Sequence, residues 1–263
     1  MKAYIKSVFL LLAIGLAGCE EVIQLDLKTS EQRIVIEAVI DAEDNVASVF
    51  ISKTGSFYQT EEFDKIAGAS VILTLPNSTH QLVDSGNGSY GLQNILLLPG
   101  DVVNIKIVTP DNVTYLASST VPIPVPLDSL SIEQMNRPFG KEGNYLLSAI
   151  WLDPGDSDNF YRLRVTKNDT LQANLYSLTD DRIRNGIKIT QPISGGGLKE
   201  NDDVIVEMLS VDKNYYDYFS QLNNIEGRGF SAPTPFNPKG NFSNDALGYF
   251  GIYYKSVKRI TIK

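Results

Sequence analysis

Short runs in which apolar and polar residues alternate, broken by glycine, proline and asparagine turns, fill most of the chain and constrain its fold more than any other feature. A period of two puts every second side chain on the same face, so each run can bury one face and leave the other wet, as antiparallel sheets do. Ile34, Ile36, Ala38 and Ile40 alternate with Val35, Glu37 and Val39, Val49 and Ile51 with Phe50 and Ser52, and Val71, Leu73 and Leu75 with Ile72 and Thr74. Residues 81–84 and 89–92 flank Ser85-Gly86-Asn87-Gly88, whose glycines and asparagine tolerate the positive φ that hairpin turns require. Val103, Ile105 and Ile107 alternate after the Pro99-Gly100 turn, and Val113, Tyr115 and Ala117 follow Pro110-Asp111-Asn112. About seven strands over residues 33–121 predict a small β-sandwich.

Val121-Pro122-Ile123-Pro124-Val125-Pro126 interrupts this rhythm. Proline at alternate positions removes backbone donors and fixes φ, so residues 122–127 are expected to run extended as a linker between domains, or as an edge strand of one continuous fold. Strand patterns resume at 145–152, 160–166, 171–178, 187–190 and 204–211. One helix is expected after Asp212 as N-cap, with Tyr215, Tyr218, Phe219 and Leu222 on one face. A long loop, 223–247, rich in glycine, proline and asparagine, precedes a closing alternating segment at 248–262. The expected fold class is all-β: two β-sandwich-like domains in tandem, 33–121 and 128–263, with one short helix in the second.

The amino terminus reads as a lipoprotein signal peptide. Lys2 and Lys6 precede an apolar stretch from Val8 to Leu16, too short to span a bilayer, which ends in Leu16-Ala17-Gly18-Cys19. Small residues before a cysteine suit a lipoprotein signal peptidase, which would remove residues 1–18 and leave Cys19 acylated on sulfur and amine. Residues 19–32 then form the acylated cysteine and its tether. Cys19 is the only cysteine, so the body has no thiol for a disulfide, a thiolate metal site or a nucleophile. Loss of Lys2 and Lys6 moves the charge balance from 23 − 31 = −8 to 21 − 31 = −10, which argues against nucleic acid and against adhesion to anionic lipid other than through the acyl chains.

No catalytic or metal-binding constellation is expected, and no cofactor. His80 is the only histidine and has no supporting ligand spacing, so it reads as a surface strand residue. Asp153, Asp156, Asp158 and Asn159 could form an oxygen-rich calcium loop, but they lack the EF-hand spacing and its terminal glutamate, and they read as a capped turn. Asp180-Asp181 and Asn201-Asp202-Asp203 read likewise as loop residues, and Gly195-Gly196-Gly197 lacks the lysine and helix of a phosphate cradle. A pair of carboxylates could hydrolyse glycosides, but no pair stands out among 31 acidic residues. The aromatic-rich tail is the candidate ligand or partner surface: Phe230, Phe236, Phe242, Tyr249 and Phe250, with Tyr253 and Tyr254 following. Exposed aromatics give contact area at low entropic cost; the same phenylalanines could instead pin the loop to the sandwich. Tyr215, Tyr216 and Tyr218 read as a helix packing face rather than a sugar platform.

The opening Cys19-Glu20-Glu21-Val22-Ile23-Gln24-Leu25-Asp26-Leu27 with Ile34-Val35-Ile36-Glu37, the Trp151-Leu152-Asp153-Pro154 and Asn159-Phe160-Tyr161-Arg162 segments, and Leu247-Gly248-Tyr249-Phe250-Gly251 resemble a Bacteroidota lipoprotein family, domain of unknown function 4249. The resemblance implies an outer-membrane lipoprotein often encoded near TonB-dependent receptors, with no catalytic residues to carry over. Glu20-Glu21 behind the cysteine resembles the signal that sends such lipoproteins to the outer face of the membrane; the alternative is a solvated tether. Residues 33–121 also resemble a carboxypeptidase-regulatory or transthyretin-like module, through Gly68-Ala69-Ser70-Val71-Ile72-Leu73, Gly88-Ser89-Tyr90 and Leu98-Pro99-Gly100-Asp101. The expected role is a non-catalytic, lipid-anchored surface protein that captures a ligand as partner of a TonB-dependent receptor. The alternatives are a structural or adhesive envelope module and a carboxylate-dependent hydrolase.

Overall fold

The computed structural model describes residues 32–55, 63–135, 145–172, 177–193, 197–226 and 236–263. Its first half forms β1 (Ile34–Asp41), β2 (Val46–Lys53), β3 (Ser70–Leu75), β4 (Ser78–Gln81), β5 (Val83–Asp84), β6 (Ser89–Gln93), β7 (Val102–Val108) and β8 (Thr114–Thr120). The second half forms β9 (Ser129–Gln134), β10 (Tyr145–Leu152), β11 (Phe160–Lys167), β12 (Thr170–Leu171), β13 (Ser177–Asp180), β14 (Lys188–Ile193), β15 (Asp203–Val211), α1 (Lys213–Glu226) and β16 (Leu247–Thr261). The fold is all-β and sandwich-like, as the alternation requires. The hairpin turns form where the sequence places them: Gly86, Asn87 and Gly88 all adopt positive φ between β5 and β6. Asp41 closes the β1–β2 turn by accepting from the N–H groups of Glu43 and Asp44.

The described residues form three sheets. A nine-stranded sheet runs β12-β11-β15-β16-β1-β2-β6-β5, with β13 also on β11. A four-stranded sheet (β4-β3-β7-β8) covers one half of it and a three-stranded sheet (β14-β10-β9) the other. The first core packs Ile36, Ile40 and Ile51 of the large sheet against Leu73, Ile105 and Ile107. The second packs Tyr161, Leu163 and Val206 against Leu147, Trp151 and Ile189.

The proline run passes from one core to the other, with Val121 in the first and Val125 and Leu127 in the second. The large sheet does not divide there. β16 pairs parallel with β1, Val35 opposite Leu247, and antiparallel with β15, Asp203 opposite Thr261. One closing strand therefore serves both sandwiches, which departs from a simple tandem: Phe250 and Ile252 enter the first core, and Ile262 just beyond the strand enters the second.

The proline segment crosses this shared sheet. Prolines 122, 124 and 126 have no N–H, so within it few donors need partners. The N–H groups of Val125 and Leu127 donate to the hydroxyls of Ser210 (3.1 Å) and Ser256 (2.9 Å) on β15 and β16, which fastens the crossing between the cores.

Candidate functional site

The aromatic tail is largely interior. Alternation along β16 sends Phe250 into the first core at 1% exposure, and Phe242 joins it at 8%. This corrects the expectation that both residues form a contact surface: an aromatic ring already packed on every side has no face to offer a partner. Phe236 is 46% exposed. Phe230 and Cys19 lie outside the described residues.

Tyr249 takes the opposite face of β16, where α1 covers it. Asp212 caps the helix, accepting from the N–H groups of Asn214 (2.8 Å) and Tyr215 (3.1 Å), and its second oxygen accepts from Ile252 of β16 (2.6 Å). Gly251 lets the helix lie this close: a Cβ there would stand 2.8 Å from the Tyr215 ring. Tyr215 and Phe219 then pack on Tyr249 with ring centroids 5.5 and 5.0 Å away, and Tyr218 at 4.9 Å, so the helix face expected from spacing is a packing face. The Arg162 guanidinium lies 3.9 Å from the Phe219 ring centroid and donates to the Tyr215 hydroxyl at 2.6 Å. Burial pushes the hydroxyls of Tyr215, Tyr249 and Tyr253 up, Tyr253 to about 12, so all three stay protonated at neutral pH. The layer packs the helix onto the sheet.

The asparagine-rich end of the long loop seals a sheet edge. Along the free side of β8, Ser243 N–H donates to the Leu116 carbonyl and Leu116 N–H to the Ser243 hydroxyl, both at 2.8 Å, while Asn244 donates to Thr114 at 2.7 Å. Asn241 joins the two sheets of the first sandwich. Its amide N–H groups donate to the carbonyls of Ser118 (3.3 Å) and Phe250 (2.9 Å), and its oxygen accepts from Phe250 N–H (2.8 Å).

The remaining candidates fall into structural roles. His80 sits on β4 beside the Ser78 hydroxyl at 2.8 Å. Asp153 is buried, accepting from the Tyr161 hydroxyl (2.5 Å) and Gly186 N–H (3.0 Å), and the Asn159 amide donates to the Pro154 and Ser157 carbonyls. Asp156 and Asp158 point to solvent, so these residues form a braced turn rather than one inward-facing ligand set. Asp181 accepts from Asn159 N–H, Asp180 pairs with Arg182, Asp202 caps Lys199 N–H, and Asp203 pairs with Arg259.

One feature was not legible in the sequence: a polar cleft of about 510 Å³ at the end of the first sandwich where the chain enters β1. Arg33, Lys53, Asp111, Tyr115 and Asp245 line it, drawn from segments far apart in the chain. No local spacing could announce it. A search of curated proteins finds no significant relative. The model of the family described as Domain of unknown function (DUF4249) matches residues 20–259, nearly the whole chain, and the protein belongs to that family.

Proposed function

We propose that the protein is a non-catalytic lipoprotein of the Bacteroidota outer membrane, facing outward, that captures a ligand as accessory to a TonB-dependent receptor. The observation that carries this reading is Leu16-Ala17-Gly18-Cys19, directly ahead of the family match, which itself begins with Glu20-Glu21. Acylation of Cys19 would leave residues 20–32 as the tether, with a reach of at most about 45 Å, so the body works close to the membrane surface. A transthyretin-like first sandwich would suit this placement as a stiff support.

Two measurements test the reading. A palmitate analogue should label the wild-type protein and not Cys19→Ala, and only the wild type should fractionate with outer membranes. A β-barrel receptor should copurify with the tagged, solubilised protein. Labelling that ignores Cys19, or complexes that never contain a barrel, would sink it. Burial of Phe242 and Phe250 takes two of the five candidate aromatics out of any docking surface and supports a second reading, a structural or adhesive module of the envelope. A ligand that raises the melting temperature supports capture over that alternative.

A further inference from the structure

The closing strand outruns one of its two neighbours. β1 lies against β16 from Leu247 to Tyr253 and stops, while β15 follows the other side of β16 as far as Thr261. The last bond on the β1 side runs from Ala42 N–H to the Tyr253 carbonyl (2.8 Å), whereas Ile262 N–H donates toward β15, to the Asp202 carbonyl (2.9 Å). N–H and C=O groups change sides from one residue to the next along a strand, so those of Val257, Arg259 and Thr261 point away from β15. None of them has a partner among the described residues. The edge of β8, by contrast, is sealed by residues 241–244.

β9 is an edge of the three-stranded sheet, and between it and β16 opens a groove of about 690 Å³. Ile132 and Tyr145 line one side of it, and Arg259, Ile260 and Lys263 the other. Ile132, Tyr145 and Ile260 pack against the second core but are only partly buried, so apolar surface remains open to a further chain. The open edge is cationic. Lys258 and Lys263 are exposed and have no ion pair among the described residues, and Arg259 between them is paired with Asp203. Two copies joined edge to edge along residues 257–261 would set these like charges against each other, which disfavours self-pairing.

We propose that the free edge of β16 at residues 257–261 docks an extended acidic segment of a partner protein, added as a further strand. Its apolar side chains rest on Ile132, Tyr145 and Ile260, and its carboxylates come within reach of Lys258 and Lys263. An extended chain supplies donors and acceptors at the spacing of the open backbone groups, and negative side chains match the two unpaired lysines. The site goes beyond the membrane reading and does not depend on Cys19.

Fluorescence anisotropy of the full chain in detergent tests it, with a labelled peptide alternating glutamate and valine and blocked at both ends. One control replaces every glutamate by lysine; the other N-methylates every amide, which keeps the side chains and removes the donors. The acidic peptide should bind saturably, and each control at least about tenfold more weakly. Hydrogen exchange at Val257, Arg259 and Thr261 should slow when it binds. Lys258→Glu combined with Lys263→Glu should turn the preference toward the lysine peptide. Val257→Pro removes an outward donor and no bond to β15, and should weaken the acidic peptide about fivefold or more. No saturable binding, equal binding of the three peptides, or slowed exchange that spares residues 257–261 overturns the assignment. Protection of these amides before any peptide is added overturns it too: if it grows with protein concentration the edge belongs to a second copy, and if it does not the chain covers its own edge.

Discussion

Asp212 ties a helix, two strands and a charge into one residue. Burial outweighs its three backbone donors and pushes its carboxyl up from 3.8 to about 6. The folded protein therefore holds this proton more tightly than the unfolded chain does. The resulting stabilisation is fully present below about pH 3.8 and is lost as the pH rises through about 6. At 1.36 kcal/mol per unit the whole window is worth about 3 kcal/mol, of which about 2 kcal/mol falls between pH 7.5 and 4.5. Asp212→Asn should remove that component from the pH dependence of urea unfolding. Asparagine keeps one oxygen for the helix cap but turns an N–H toward Ile252 N–H, so the variant should be less stable at both pH values, by about 1–3 kcal/mol. A variant whose stability follows pH as steeply as the parent's would show that another group titrates.

At the scale of elements, the problem the fold solves is the exposed strand edge. β8 ends the four-stranded sheet, and an unsealed edge invites pairing with a second chain. Residues 241–244 close it with two asparagines and a serine, whose side chains stand in for a strand's backbone. Asn241→Ala should leave the Phe250 N–H and two carbonyls without these bonds, lower stability by about 1–3 kcal/mol and raise light scattering on mild heating. A variant that melts and scatters like the parent would mean the seal does not depend on this side chain. The strands were legible because one-sided burial forces alternation, as in β1, β3 and β7, where every second residue is buried. β9 went unread because only Leu130 and Ile132 are even half-buried in a run of serines and acidic or amide residues. The tail misled for a related reason: alternation separates Tyr249 from Phe250 but cannot say whether a face meets water, a helix or a second sheet. The cleft lay beyond reach altogether, since Arg33, Lys53, Asp111 and Asp245 meet only after β1, β2, β7 and β8 have paired.

At the scale of the whole molecule, the two cores share a backbone. β16 gives its first half to β1 and its second half to β15, so neither sandwich can lose its sheet without taking a strand from the other. The β1–β16 pairing joins residues more than 200 positions apart, so closing it carries the entropy of a long loop. The Ser210 and Ser256 hydroxyls add a second link by holding the proline crossing to the same strands. Bodies joined only by a tether would unfold independently; bodies that share a strand should unfold together. Trp151, the only tryptophan, lies fully buried in the second core and reports on that half by fluorescence. Leu73, fully buried in the first core, is its counterpart for perturbation. Leu73→Ala should cost about 2–5 kcal/mol through lost burial and a residual cavity. If the shared strand couples the halves, the Trp151 transition in urea moves to a lower midpoint by that full loss divided by the slope, which stays unchanged. If Trp151 unfolds at its original midpoint while circular dichroism shows an earlier loss of strand signal, each sandwich stands alone and β16 is a seam rather than a common beam.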